Sequence, residues 1–180
     1  MFLVPKGVDK WRIIIDLRYI NTFCEAKSMK FETLKRVRAL AQRHDYMLSL
    51  DLLDGYYAVG IAEEDRDFFT VEIAGFGLFR LCGLPMGWSL SPYIFCSLMQ
   101  LVVNHLRAPF LGGKSRVSKR VKRYRLRHDQ RGLRMLPFVD DWGFFFASYE
   151  EALHARDYID ATLTRFGLCR NTTKGYWEPV

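Results

Sequence analysis

Apolar residues in this chain come in short blocks cut by charged or glycine-bearing turns, and the spacing within each block sets the element it predicts. Trp11 to Leu17 is rich in β-branched side chains and reads as a strand. Phe31, Leu34, Val37, Leu40 and Ala41 recur at helical spacing, which predicts an amphipathic helix over residues 31–43. Tyr46 to Leu50 forms the next strand and runs into Asp51. After the polar turn Glu63-Glu64-Asp65-Arg66-Asp67, Phe68 to Ile73 and Leu78 to Cys82 form a hairpin closed by Gly75-Phe76-Gly77. The loop Gly83 to Gly87 leads into a largely apolar helix from about Pro92 to Leu106, expected to be buried. A second hairpin joins Met135–Val139 to Trp142–Ala147. Ser148-Tyr149-Glu150-Glu151 then opens a final helix as a capping box, and that helix runs to Phe166 and stops at Gly167. No internal repeat is present. The order of elements predicts an α+β fold, an antiparallel sheet backed by helices.

The tip of the second hairpin is chemically odd. Asp140 and Asp141 stand side by side there, where Asn-Gly or Asp-Gly would close the turn without like-charge repulsion. Such a pair points to a cation. Together with Asp51 at the end of its own strand, the three carboxylates could hold two divalent metal ions for phosphoryl or nucleotidyl transfer. The plainer alternative is a surface turn, with Asp51 capping a helix.

At 180 residues and 49% hydrophobic, the chain can bury one domain core. No apolar run is long enough to span a membrane, and Met-Phe-Leu-Val-Pro-Lys lacks the features of a signal peptide. An intracellular protein, in cytoplasm or nucleus and without a membrane partner, is expected. Cys24, Cys82, Cys96 and Cys169 include no close-spaced pair, so reduced and mainly buried thiols are expected. Net charge is +7, yet residues 114–134 alone carry +9, which leaves −2 for the other 159 residues. The basicity is thus one strip. It reads either as a phosphate-binding segment or as a solvated insertion.

Five motifs in order carry a resemblance. They are Leu3-Val4-Pro5-Lys6 with Trp11 to Asn21, then Leu50-Asp51-Leu52-Leu53-Asp54-Gly55-Tyr56-Tyr57, Gly83-Leu84-Pro85-Met86-Gly87-Trp88-Ser89-Leu90-Ser91-Pro92, Phe138-Val139-Asp140-Asp141, and Lys174-Gly175-Tyr176-Trp177-Glu178-Pro179. In this order the chain resembles the fingers and palm of a reverse transcriptase over about residues 3–178, more a retrotransposon enzyme than a retroviral one. The stretch Arg170 to Gly175 is similar to that of retrotransposons of the DIRS type.

The resemblance implies a polymerase palm with part of the fingers and no thumb. Residues 1–45 and 60–85 would be fingers-like, 46–59 and 86–180 palm, and 112–131 a basic insertion. Asp51, Asp140 and Asp141 would be catalytic and bind two Mg2+ ions, with Mn2+ as a substitute. One ion would activate the primer 3′-hydroxyl, and the other would hold the triphosphate and the leaving pyrophosphate. The family often sets the residue matching Asp141 further from the metals. Incoming dNTP would meet Lys6, Arg12, Leu52, Asp54, Tyr56 and Met86.

Arg12 offers a planar donor fork and Lys6 a compact charge for the triphosphate, though both could be ordinary surface cations. Tyr56 would be a steric gate against a 2′-hydroxyl, or simply a core aromatic. Asp54 would act largely through its backbone N–H, or cap a short helix. Met86 stands where retroviral relatives carry Gln and many retrotransposons Phe, and it offers apolar contact in place of hydrogen bonds. Asp16 reads as a structural partner for a nearby cation.

Lys119, Arg120, Lys122, Arg123 and Arg125 are the candidates for nucleic-acid binding. The implied partners are an RNA or DNA template–primer duplex and dNTPs, with thumb and ribonuclease H domains expected downstream in a full-length element. The expected function is RNA-directed DNA polymerisation by a piece of a retroelement. The alternative is an inactive remnant that binds nucleic acid.

Overall fold

The protein is described by a computed structural model for residues 2–7, 9–25, 27–29, 32, 34–108 and 133–180. It divides into two compact units, Met1–Lys30 with Asp54–Ser97, and Phe31–Leu53 with Leu98–Val180. Residues 31–45 group with the strands expected for the palm, and residues 54–59 and 86–97 group with the hairpins expected for the fingers.

The first unit holds two hairpins. Strands β1 (Phe2–Gly7) and β2 (Lys10–Ile14) pair antiparallel, with Val4 opposite Arg12 and a register shift between Pro5 and Gly7 that leaves Lys6 at a bulge. The strand expected to reach Leu17 stops at Ile14. Asp16 is drawn instead onto Arg18, whose Nη2 donates to its Oδ2 at 2.6 Å, and the chain turns into the short helix α1 (Arg18–Asn21). The Arg18 hydrogen bonds pull the Asp16 pKa down to about 2. The region expected as a polar turn is a 3-10 helix, Glu63–Phe69, so the next strand begins late. Strands β4 (Thr70–Ile73) and β5 (Gly77–Arg80) then form the second hairpin, in which Gly75 and Gly77 take positive φ.

The second unit is built on a three-stranded antiparallel sheet. In chain order its strands are β3 (Tyr46–Asp51), β6 (Arg134–Phe138) and β7 (Asp141–Phe146), and β7 lies in the middle. Alternation puts Leu48, Leu50, Met135, Trp142, Phe144 and Phe146 on one buried face. Phe145 and Leu136 point the other way and pack with Leu40. Helix α4 (Tyr149–Arg165) contacts β3 and β7. The Ser148 hydroxyl accepts its Glu151 N–H at 3.1 Å, as the capping box predicts, and Gly167 takes φ +71 beyond its end.

Three sequence expectations need correcting. Of the helix predicted over residues 31–43, the described residues form a 3-10 turn at Leu34–Arg36 and the four-residue helix α2 (Val37–Leu40). At its end the Arg134 Nη1 donates to the Leu40 carbonyl at 2.9 Å and so satisfies an acceptor that the last helical turn leaves open. Helix α3 (Ser91–Arg107) forms as predicted but is not buried all round, since Leu101 is 62% exposed and Leu98 40%. The cysteines are free thiols, yet none is buried, with Cys82 and Cys169 exposed. Among the described residues no helix is long and apolar enough to cross a membrane.

Candidate active site

The ladder between β3 and β7 runs from Tyr46 opposite Phe146 to Asp51 opposite Asp141. That register places the two carboxylates face to face, on the side of the sheet that carries Ser49 and Gly143. Asp141 is therefore the first residue of β7 and not part of the turn. Val139 and Asp140 make the turn, with Val139 at φ +54 and its carbonyl accepting Trp142 Nε1–H at 3.0 Å. The Asp140 carbonyl accepts the Leu52 N–H at 2.9 Å, which ties the hairpin tip to the end of β3. Of the pair, the geometry sets Asp141 and not Asp140 opposite Asp51.

Asp51 is only 7% exposed, and both of its carboxylate oxygens are engaged. Lys174 Nζ donates to Oδ1 at 3.1 Å and Asn171 Nδ2 to Oδ2 at 3.0 Å, while the Asn171 N–H donates to the Asp51 carbonyl at 2.8 Å. The Asn171 Oδ1 in turn accepts the Thr173 N–H at 3.1 Å and hydroxyl at 2.8 Å. These contacts come from a tail running antiparallel along the outer edge of β3. Its Tyr176 carbonyl accepts the Ser49 N–H, and Val180 exchanges two backbone bonds with Met47. Between Asn171 and Tyr176 the tail bows outward and returns at Gly175. There φ is +77, and an added Cβ would lie 2.5 Å from the Ser49 carbonyl oxygen, so only glycine fits.

The charges shift one another. Partial burial comes first in raising the Asp141 pKa, followed by the charges of Asp140 and Asp51 and a hydrogen bond with Asp51, while Lys174 pulls it down. Lys174 is held more firmly protonated by its hydrogen bond to Asp51 and by the charge of that carboxylate. Beside the carboxylates the sheet opens into a groove of about 550 Å3, bordered by Ser49, Leu136, Phe138, Gly143 and Gly175. A Cβ on Gly143 would meet nothing within 4 Å, so the groove is wide here because a side chain is missing from a mid-strand position.

Among the described residues no cluster of three or more acidic, histidine or cysteine side chains is arranged to hold a metal ion. Two facing carboxylates nevertheless suit Mg2+, which commonly takes one or two carboxylates and completes its shell with water and substrate phosphates. The Lys174 ammonium on Asp51 shows that the site already accepts a cation.

The remaining candidates are spread over the chain. Leu52 is buried in the second unit, bridged to Arg170. Lys6, Arg12, Asp54, Tyr56 and Met86 belong to the first unit. Lys6 and Arg12 are exposed on the β1–β2 hairpin. Asp54 takes φ +48 in a turn whose carbonyl accepts the Ala58 N–H. The Tyr56 ring packs 5.0 Å from that of Phe95. Met86 is half-buried in a loop pinned by the Ser91 hydroxyl, which donates to the Pro85 carbonyl, and by Asn21, whose amide donates to the Gly87 carbonyl and accepts the Ser89 N–H. Lys119, Arg120, Lys122, Arg123 and Arg125 lie outside the described residues. Arg134, counted with the basic strip, forms a two-point ion pair with Asp45 at 2.6 and 2.7 Å and so serves the fold.

Residues 4–177 match the family described as "Reverse transcriptase (RNA-dependent DNA polymerase)". The chain belongs to that family. Its similar sequences include the Gag-Pol polyprotein of avian leukosis virus subgroup A, 27% identical over 99% of this chain and 10% of that protein. The Pol polyprotein of transposon 412 from Drosophila melanogaster is 28% identical over 56% of this chain and 9% of that protein. The reverse transcriptase domain thus spans about a tenth of the length of these relatives. Its fold resembles that of a foamy viral protease-reverse transcriptase in complex with double-stranded DNA. The TM-score there is 0.74 at 18% identity, with 97% of this chain and 26% of that chain covered. A foamy viral structure with an RNA/DNA hybrid matches with a TM-score of 0.71 at 18% identity, over 97% of this chain and 20% of that chain. The fold class is that expected, α+β.

Within this reverse transcriptase domain the sequence reading gave no role to Asn171 or Lys174. Lys174 was visible only as a cation beside a glycine in the last motif. Its partner lies 123 positions away, and spacing could not supply it.

Proposed function

We propose that this domain carries the nucleotidyl-transfer centre of an RNA-directed DNA polymerase, extending a primer on a template with dNTPs. The observation behind this reading is the cross-strand placement of Asp51 against Asp141 at the mouth of an open groove, in a chain of this family. Asp51, Asp141 and the adjacent Asp140 would hold two Mg2+ ions. Those ions would lower the pKa of the primer 3′-hydroxyl and neutralise charge on the triphosphate and leaving pyrophosphate.

The chain's own residues would do the rest. Arg12 presents a planar fork to phosphate oxygens and Lys6 a point charge. Tyr56, braced by Phe95, would exclude a ribose 2′-hydroxyl. Leu52 and Asp54 would meet the nucleotide at the end of β3, the backbone N–H of Asp54 being its contact. Met86 would give apolar contact to the sugar. A template–primer duplex as partner is supported by the nucleic-acid complexes of the structural neighbours, and residues 119–125 would add backbone neutralisation.

Primer extension on poly(rA)/oligo(dT) with Mg2+ tests the reading. It should be run on this chain and on a longer version with the sequence that follows, each beside Asp51→Asn and Asp140→Asn. Either substitution should lower extension by roughly a thousandfold or more, about 4 kcal/mol of transition-state stabilisation. Extension that survives both substitutions would sink the assignment. No extension by either length, with salt-dependent nucleic-acid binding retained, would mark an inactive remnant.

A further inference from the structure

Asp51 has two side-chain donors of very different character. Asn171 is locked, since its N–H, its Nδ2–H and both bonds to its Oδ1 are in use, and all four groups it meets lie on Asp51 and Thr173. Lys174 is not. Its side chain is 54% exposed, and one contact of 3.1 Å joins its ammonium to Asp51. The backbone beside Lys174 is tied to β3, because Tyr176 bonds Ser49 through both its N–H and its carbonyl, and Gly175 passes so close to the Ser49 carbonyl that no Cβ would fit. The ammonium can therefore leave Asp51 by rotation about its four-carbon stem, with no movement of the tail.

We propose that Lys174 is a built-in stand-in for a metal ion. It neutralises Asp51 and the facing Asp141 in the metal-free protein and is displaced when a divalent cation takes the Asp51 Oδ1, while Asn171 holds the Oδ2 throughout and fixes the carboxylate plane. Two cations cannot share that oxygen without repelling at close range. Lys174 and Asn171 are thus positioning residues with opposite effects on metal. One competes with it and the other prepares its ligand. The proposal rests on the reading of Asp51 and Asp141 as metal-binding carboxylates.

Mn2+ binding to the 180-residue chain, read from the loss of the free-ion electron paramagnetic resonance signal, tests both parts together. Lys174→Met should tighten binding roughly two- to fivefold, the range expected for removing a half-exposed ion pair. Lys174→Arg, which keeps the charge, should bind no more tightly than wild type. Asn171→Ala should weaken binding roughly tenfold. Thermal melting gives a second readout. Without metal Lys174→Met should melt below wild type, and Mn2+ should raise its Tm by more than it raises that of wild type. Wild-type binding that Lys174→Met leaves unchanged or weakens overturns the exchange alone. An absence of binding in wild type and in every variant overturns the metal reading, and the proposal with it.

Discussion

On one face of the sheet formed by β3, β7 and β6, Leu48, Leu50, Met135, Trp142, Phe144 and Phe146 are each at most 1% exposed. On the other, the same strands present Ser49, Gly143, Asp51 and Asp141 to an open groove. The two sets alternate residue by residue, so stability and chemistry share every strand and are separated only by side-chain parity. A slip of one residue of β3 against β7 would turn Asp51 into the core and Leu48 and Leu50 toward the groove, and the bulk of the buried face guards against it. At one end the groove face is covered, where Leu40 of α2 packs on Leu136 and Phe145.

Substitutions on the two faces should therefore fail in different ways. The largest effect is expected from Phe144→Ala, which leaves a cavity in the buried face and should cost about 3–5 kcal/mol in urea unfolding. Arg134→Ala, at the covered end, should cost about 2 kcal/mol near neutral pH by removing the guanidinium bonds to Asp45 and to the Leu40 carbonyl. This loss should vary with pH. Burial pushes the Asp45 carboxyl up, but the hydrogen bonds from Arg134 and the Gln42 N–H, with the Arg134 charge, outweigh it and hold the pKa below its ordinary value. A depressed carboxylate stabilises the fold above about pH 4, and that stability fades as pH falls through the folded value. The gap between Arg134→Ala and wild type should accordingly narrow in acid.

Gly143→Leu should do the reverse of Phe144→Ala. It fills the groove without meeting a neighbour at Cβ, so unfolding should change by less than about 1 kcal/mol while primer extension falls roughly tenfold or more, about 1.4 kcal/mol. The smallest effect is expected from Asp141→Asn in metal-free buffer. The Asp141 pKa is raised in the fold, so its ionisation opposes folding once pH climbs above about 4 and through the folded value. Asp141→Asn should then stabilise the metal-free protein at neutral pH by roughly 0.5 kcal/mol or less, given its contact with solvent, with the gain gone below pH 4. A variant more stable and less active at one position would sharpen the contrast between the faces.

Much of this was legible in the chain because it is local. The apolar run Tyr46–Leu50 and the apolar blocks around Asp140 gave the strands that carry the site, and Ser148 with Glu151 gave a helix start that the structure keeps. Helix 31–43 was overextended because apolar periodicity does not mark where a helix stops, and the donor that meets the Leu40 carbonyl, Arg134, lies 94 residues away. Burial of the cysteines and of all faces of α3 was misjudged for a related reason, since composition gives polarity and not which neighbours arrive. The place of Asp141 opposite Asp51 needed the register, and the partners of Asp51 needed the tail.

The path of that tail has a consequence for how the site comes into being. Asn171 and Lys174 reach Asp51 across 120 and 123 residues, and the Tyr176 N–H reaches the Ser49 hydroxyl across 127. Contacts of such long range close large loops and tend to form late in folding. During synthesis, β3 emerges long before its closing partners exist. Asp51 therefore acquires its final geometry only after nearly the whole domain has left the ribosome, and a nascent chain halted before Asn171 would hold the carboxylate without the means to aim it.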